Sequence, residues 1–299
     1  MEKSTGYQAG TWNSYHEAVS HGDVMFPFME YVIETDATRE ERIYCHWHEE
    51  LEFLVLTEGE AELSIGEQTV LIKAGDFAFI PSDKLHTMSA KTGTAVSFYA
   101  FDFSPAFLYS FENDLLQQQY FLPLQKGKLR FWEFFTPDCA WKKELAKNLQ
   151  QLHEIFQQKR PGYELLIKAK LYEIFAQMFT SAVLERTSGQ KDRREQQVRK
   201  MMQYLQQNYD QVITMEELSE TFHLSVGHLC RLFKSMTGRS VIDYLNDYRI
   251  RQSTQLLRER QLDIGEIAGK VGFNNISYFN KRFRQYMNMT PGEYRKRII

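Results

Sequence analysis

The stretch DIGEIAGKVGFNNISYFNKRFRQYM (263–287) reads as two short helices about a tight turn. Asp263 carries the short oxygen-bearing side chain that caps free amides at a helix start. Ile264, Ile267 and Ala268 follow it at helical spacing, and Val271-Gly272-Phe273 supplies the turn. A second helix begins at Asn275 or Ser277, with Ile276, Phe279, Phe283 and Met287 turned inward. Pro291 then sits at the start of a last short helix containing Tyr294, a position where its missing N–H costs nothing. Two short helices joined this way make a helix-turn-helix.

Working outward, the same plan appears about 50 residues earlier. Thr214 is a cap, with Glu217 three residues on as its reciprocal partner, and Leu218 and Phe222 line one face. A turn through His223-Leu224 leads to Ser225, which caps VGHLCRLFKSMTG (226–238). Leu229, Leu232, Phe233 and Met236 face inward there, and Gly238 ends the helix. One helix, from about Ser240 to Arg258, lies between the units and spans about 28 Å. That length suits two second helices entering successive major grooves, about 34 Å apart, on one face of DNA.

The residues Arg249-Ile250, Leu256-Leu257, Ile264, Ile267-Ala268, Val271-Gly272-Phe273, Ser277-Tyr278-Phe279, Phe283, Pro291 and Tyr294-Arg295 together resemble the signature of the AraC/XylS regulators, over about residues 196 to 297. Ser219 and Ser253 stand where that family usually has alanine, and Asn288 where it often has glycine. The resemblance implies base-reading positions at Gly227, Cys230 and Arg231 in the first unit and at Ile276, Ser277, Asn280 and Lys281 in the second. Arg231 and Lys281 can donate to guanine and Asn280 can pair with adenine, while Lys234, Arg282 and Arg284 are expected at phosphates.

Further toward the N-terminus the pattern changes. Residues 43 to 103 read as strands and turns, with LEFLVL (51–56), AELSI (61–65) and DFAFI (76–80) separated by Gly59, Gly66, Gly75 and Pro81. His46-Trp47-His48, Glu52 and Gly59, then Gly75, Pro81, Ser82, Asp83 and His86, resemble the two motifs of the cupin barrel, with Asp83 replacing a glycine and Ala90 a usual asparagine. His46, His48 and Glu52 share strand parity, so all three are expected to face the interior, with Trp47 and Phe53 facing away unless a bulge intervenes. With His86 they make a set that lines a hydrogen-bonding effector pocket. The same four residues suit a divalent transition metal, the less favoured reading. Trp141, Leu145, Leu149, Leu152 and Phe156 then mark one amphipathic helix; Pro161-Gly162 breaks it. A second helix runs from about Tyr163 to Arg186 through Ile167, Leu171, Ile174, Phe175 and Met178. TSGQKDRREQQ (187–197) is polar and glycine-containing, the best linker candidate.

The fold expected is therefore α+β: an antiparallel, cupin-like β-barrel with a helical pair, then an all-α domain with two helix-turn-helix units. The expected domains are 20–110 for effector sensing, 111–190 for dimerisation and linking, and 196–299 for DNA binding. Charge agrees with this division. Residues 193–299 hold 18 of the 36 Lys+Arg but only 11 of the 39 Asp+Glu, a net of +7 that suits a polyanion, and the remainder is at −10. Cys45, Cys139 and Cys230 are too few and too scattered for a disulfide framework, which fits a reducing cytoplasm. The opening MEKSTGYQAG has no apolar core of a signal peptide, and no run reaches the roughly 20 apolar residues of a membrane span. The resemblance implies a homodimeric activator that binds promoter DNA, RNA polymerase and a small-molecule effector, with a sugar the first class to consider. It implies no cofactor, no catalysis and no membrane. Two other readings remain open from sequence: a metal-dependent cupin enzyme tethered to DNA, and a constitutive DNA-binding protein with a purely structural barrel.

Overall fold

The computed structural model describes residues 22, 25–34, 42–90, 94–109, 114–125, 129–181, 189–258, 262–287 and 289–298. They divide into two compact units between Lys191 and Asp192. The first contains β1 (Phe28–Glu34), β2 (Arg42–His46), β3 (Leu51–Glu58), β4 (Glu60–Ile65), β5 (Gln68–Lys73), β6 (Phe77–Ile80), β7 (His86–Ala90), β8 (Ser97–Phe103) and β9 (Phe134–Phe135). All their pairings are antiparallel and sort into two sheets, ordered β1-β8-β3-β6-β9 and β2-β7-β4-β5. Strand β1, ahead of residue 43, and strand β9, within the stretch expected to be helical, are additions to the sequence reading. A two-residue strand holds too little pattern to be read from sequence, and β9 is fixed by its neighbour. The Phe77 and Phe135 rings stack at 4.9 Å and 3° across the β6–β9 pair.

The run LEFLVL is apolar but for Glu52 because β3 is covered on both faces. Phe53 and Val55 join Phe77, Phe79, Phe101 and Phe103 in one core; Leu54 and Leu56 join Ala78, Ile80, Phe98, Leu63, Ile65, Ile72 and Met88 in another, between the sheets. The second sheet is covered on one side only, so β4 alternates buried Ala61, Leu63 and Ile65 with Glu60, Glu62 and Ser64 toward solvent. A π-helical turn, Gln117–Phe121, leads into α1 (Leu122–Gln125). The amphipathic pair follows as α2 (Ala140–Gln158) and α3 (Tyr163–Ser181). Leu145, Leu149, Leu152, Phe156, Ile167, Leu171, Ile174, Phe175 and Met178 are all buried, against the first sheet. The pair therefore roofs the sheet. The residues expected to extend the second helix to Arg186 lie outside those described.

The second unit is helical: α4 (Gly189–Gln207), α5 (Met215–Phe222), α6 (Val226–Thr237), α7 (Val241–Leu256), α8 (Ile264–Lys270), α9 (Ile276–Met287) and α10 (Pro291–Ile298). The boundary between the two units falls within the expected linker, but residues 189–197 of that stretch are helical and form the first half of α4. Its Lys, Arg, Glu and Gln are good helix formers, and Val198, Met201, Met202 and Leu205 anchor the helix by burial. Most caps fall where expected. Ser225 accepts from the His228 amide and Asp263 makes a full capping box with Glu266, at 2.7 and 2.9 Å. Asn275 Oδ1 caps α9 through the Tyr278 amide at 2.9 Å. The box expected at Thr214 is half made: Thr214 accepts from the Glu217 amide, but the Glu217 carboxylate accepts instead from Tyr204 Oη at 2.6 Å. Ser219 and Ser253, in place of alanine, satisfy their hydroxyls on the Leu224 and Ile250 carbonyls. Asn288 lies outside the described residues. Helix α7 has 16 residues and rises about 24 Å, a turn shorter than the sequence suggested. Among the described residues no helix is long and apolar enough to cross a membrane.

Candidate functional site

Two places concentrate chemistry, one in each unit. In the first, His46 at the end of β2, His48 just beyond it, Glu52 at the start of β3 and His86 at the start of β7 converge at one end of the space between the sheets. Each is buried to within 5 % exposure. Their convergence does not arise from shared parity along one strand, because β2 ends at His46 and Glu52 stands on a different strand in the other sheet. Pairing brings them together instead: His46 lies opposite His86, after a register shift between Ile43 and His46. The His46 and His86 rings are 4.0 Å apart, and His48 is 5.1 Å from His86. Phe53 does point the opposite way from Glu52, into the core under the helices. Asp83, in place of the cupin glycine, adopts the left-handed conformation that a glycine would supply (φ 64°), and its amide donates to the His48 carbonyl at 2.7 Å.

A fifth residue, Asp102 on β8, belongs to the group. It lies directly opposite Glu52 across the β3–β8 pair and is 3 % exposed. Donor atoms of His46, His48 and His86 lie within 4.8 Å of one another, as do those of His48, Glu52 and Asp102. The only sequence signal for Asp102 is a lone acid in the apolar run SFYAFDF (97–103), legible only once its strand partner is known. Glu52 Oε2 is 3.2 Å from His48 Nε2 in a hydrogen bond and 3.2 Å from His86 Nε2, which is not aligned as one. Burial pushes the Glu52 carboxyl up, but the two imidazoles outweigh it and hold the group well below the usual carboxylate range. Imidazole and carboxylate donors at this spacing fit a divalent transition metal as well as a polar organic ligand.

In the second unit, α6 and α9 bury one face each and present the other. Leu229, Leu232, Phe233 and Met236 of α6 and Phe279 and Phe283 of α9 are buried. The positions expected to read or touch DNA, namely Gly227, Cys230, Arg231, Lys234, Ile276, Ser277, Asn280, Lys281 and Arg284, are all exposed, so the inward orientation expected of Ile276 is corrected. The Arg231 guanidinium lies across Gly227, where a Cβ would meet Nη1 at 3.5 Å. Arg282 is a correction. It is turned inward, bound to Asp243 Oδ1 at 2.6 Å and Tyr286 Oη at 3.0 Å, so it ties α9 to α7 and is not presented to a phosphate. Asn246 adds a second tie, donating to Tyr278 Oη at 3.1 Å. Arg249 donates to the Tyr209 and Gln211 carbonyls at 2.7 Å each, joining α7 to the end of α4.

Two family models match the chain, the AraC-like ligand binding domain over residues 27–175 and a helix-turn-helix domain over 218–297. The chain belongs to the AraC-type transcription regulators. It is 28 % identical over 280 residues to the HTH-type transcriptional regulator YdeC of Bacillus subtilis, a match covering 94 % of this chain and 95 % of the relative. It is 24 % identical over 243 residues to the Msm operon regulatory protein of Streptococcus mutans, covering 81 % and 83 %. The C-terminal domain of the response regulator AraT from Geobacillus stearothermophilus is 34 % identical, covering 33 % of this chain and 84 % of that one, at a TM-score of 0.32. The regulator thus carries a ligand-binding unit of antiparallel sheets followed by a DNA-binding helical unit.

Proposed function

We propose that this regulator reads promoter DNA with the exposed faces of α6 and α9, and that an effector held by His46, His48, Glu52 and His86 controls the reading. The observation that carries the proposal is the pairing of two features in one chain. Buried polar side chains meet at the end of an otherwise apolar sheet core, and two capped helices present Arg231 and Lys281 to solvent. Polar groups buried at a cost of about 1–3 kcal/mol each when unsatisfied are kept where a ligand uses them. The roof helices α2 and α3 form the dimer contact in this reading, and the bound dimer activates transcription with RNA polymerase in the cytoplasm.

The test uses the full chain and a duplex selected from random DNA. Affinity for that duplex is measured with and without a panel of monosaccharides and divalent metals. At least one compound is expected to change the affinity about 5- to 150-fold, the usual range of allosteric coupling. His48→Ala should abolish that response and leave the basal affinity intact. Unchanged affinity across the panel, with the same operator occupancy in His48→Ala, would overturn the sensor reading and leave a constitutive DNA-binding protein.

A further inference from the structure

The apolar contact between α7 and α9 sets how close the two helices lie. Ile250 of α7 packs in one core with Phe279 and Phe283 of α9. Burial of this kind has no direction, and packed helices scatter by about 15–20° in crossing angle. Helix α9 has 12 residues and is about 18 Å long, so a swing of about 20° around its centre moves either end by about 3 Å. One base-pair step of DNA is about 3.4 Å. A reading helix held by apolar packing alone would therefore drift by nearly a whole step.

Polar ties supply the missing direction. On its flank between the core face and the exposed reading face, α9 carries Tyr278, Arg282 and Tyr286, four residues apart and so stacked in one stripe. All three meet α7. Asp243 Oδ1 accepts from Arg282 Nη2 at 2.6 Å, and Tyr286 Oη accepts from the same nitrogen at 3.0 Å. The Tyr286 hydroxyl donates in turn to the Asp243 carbonyl at 3.1 Å, and Asn246 Nδ2 donates to Tyr278 Oη at 3.1 Å. Asp243 is itself fixed, because its other oxygen accepts from the Ser240 hydroxyl at 2.7 Å where α7 begins. The first reader is tied to the same helix. The Phe233 ring of α6 meets Tyr244 of α7 edge-on at 5.2 Å, and Arg239, between α6 and α7, donates to Asp247 Oδ2 at 3.2 Å. Helix α7 is thus the common base of both readers.

We infer that the Tyr278–Arg282–Tyr286 stripe, seated on Asp243 and Asn246, sets the number of base pairs that the regulator accepts between its two half-sites. These are positioning residues. They act by fixing where Ser277, Asn280 and Lys281 stand relative to Arg231, and not by touching a base. The inference rests on the reading of DNA by α6 and α9 and adds what decides the spacing.

In the experiment the full chain first selects a duplex from random DNA. Affinity is then measured by anisotropy for that duplex and for two derivatives, with one base pair inserted or removed between the half-sites. The wild type should bind the derivatives about tenfold more weakly. Asp243→Asn and Arg282→Met should each shrink that gap to about threefold or less. Asp243→Glu, which keeps the carboxylate, should retain most of it. Each value is a ratio between duplexes, so a partial loss of folded protein moves it little, and equal melting temperatures of the variants check the fold directly. A phosphate contact by Arg282 gives the opposite pattern. Arg282→Met would then weaken all three duplexes alike and lower the salt slope by about 0.9. Asp243→Asn, which frees the guanidinium, would strengthen all three. That pattern overturns the inference. A wild type that binds the three duplexes alike also overturns it and leaves DNA reading by α6 and α9 standing. A wild type that selects no duplex overturns the DNA reading and the inference with it.

Discussion

Arg231 is the most informative single side chain for specificity. It is exposed on α6, above a glycine whose bare backbone lets the guanidinium lie close to the helix. A guanidinium in the major groove takes a guanine with two hydrogen bonds, whereas Lys234, a turn further on, is placed for phosphate. Arg231→Ala should lose about 1–3 kcal/mol of discrimination between operator and random duplex, and Lys234→Ala should weaken both alike. Binding isotherms on the two duplexes check this, and equal losses for Arg231→Ala would reassign it to the backbone. At Asp83 the residue type and the conformation pull apart. The φ of 64° costs a non-glycine residue about 1–2 kcal/mol, less for aspartate than for most. Asp83→Val should therefore destabilise the first unit by about that amount in urea melts, while Asp83→Gly holds or gains stability.

Between elements, the apolar contact of α2 with the first sheet includes one polar cluster. His153 Nδ1 lies 2.6 Å from Glu30 Oε1 of β1, Gln157 donates to the other oxygen at 2.5 Å, and the His153 ring stacks on Tyr99 of β8 at 4.6 Å. The hydrogen bond with Glu30 raises the His153 pKa above its ordinary value, against the opposing effect of burial, with Glu154 adding to the rise. A raised imidazole pKa stabilises the fold fully below about pH 6.5 and loses that contribution as pH climbs through the folded value. Glu30→Gln should flatten the decline in stability from about pH 6.5 upward, read from urea melts in a pH series. An unchanged slope would show that the pair is not the source. Leu149, fully buried between α2 and the sheet, should cost about 2–5 kcal/mol as Leu149→Ala. Both helices were legible in the sequence because their apolar residues repeat at 3.6. β3 was legible as a strand, but its two buried faces were not, since an apolar run broken only by Glu52 does not say what covers it.

At the scale of the whole chain, charge and architecture point to one separable activity. A segment of residues 189–299, keeping α4 whole, should bind duplex DNA by itself. Its affinity should fall with salt at about 0.9 log units per log unit for each phosphate neutralised. Anisotropy titrations across a salt series test this, and no binding even at low salt would overturn the assignment of the interface. By itself the sequence determined both helix-turn-helix units, their caps, the inward faces of α2 and α3, and the identity of four cluster residues. All of these are local: a cap reaches three residues, a helical face repeats within a turn or two, and a motif is a spacing along one chain. The tertiary structure alone decided the rest. Arg282 looked like any exposed helical arginine until Asp243, 39 residues away in sequence, was found beside it. Asp102 looked like a stray acid in a strand until pairing set it opposite Glu52, 50 residues away. The histidines met through a shifted register between strands and not through alternation along one. Pairing between distant strands and ion pairs between distant helices are fixed by which surfaces bury each other, and that choice is made by the folded chain as a whole.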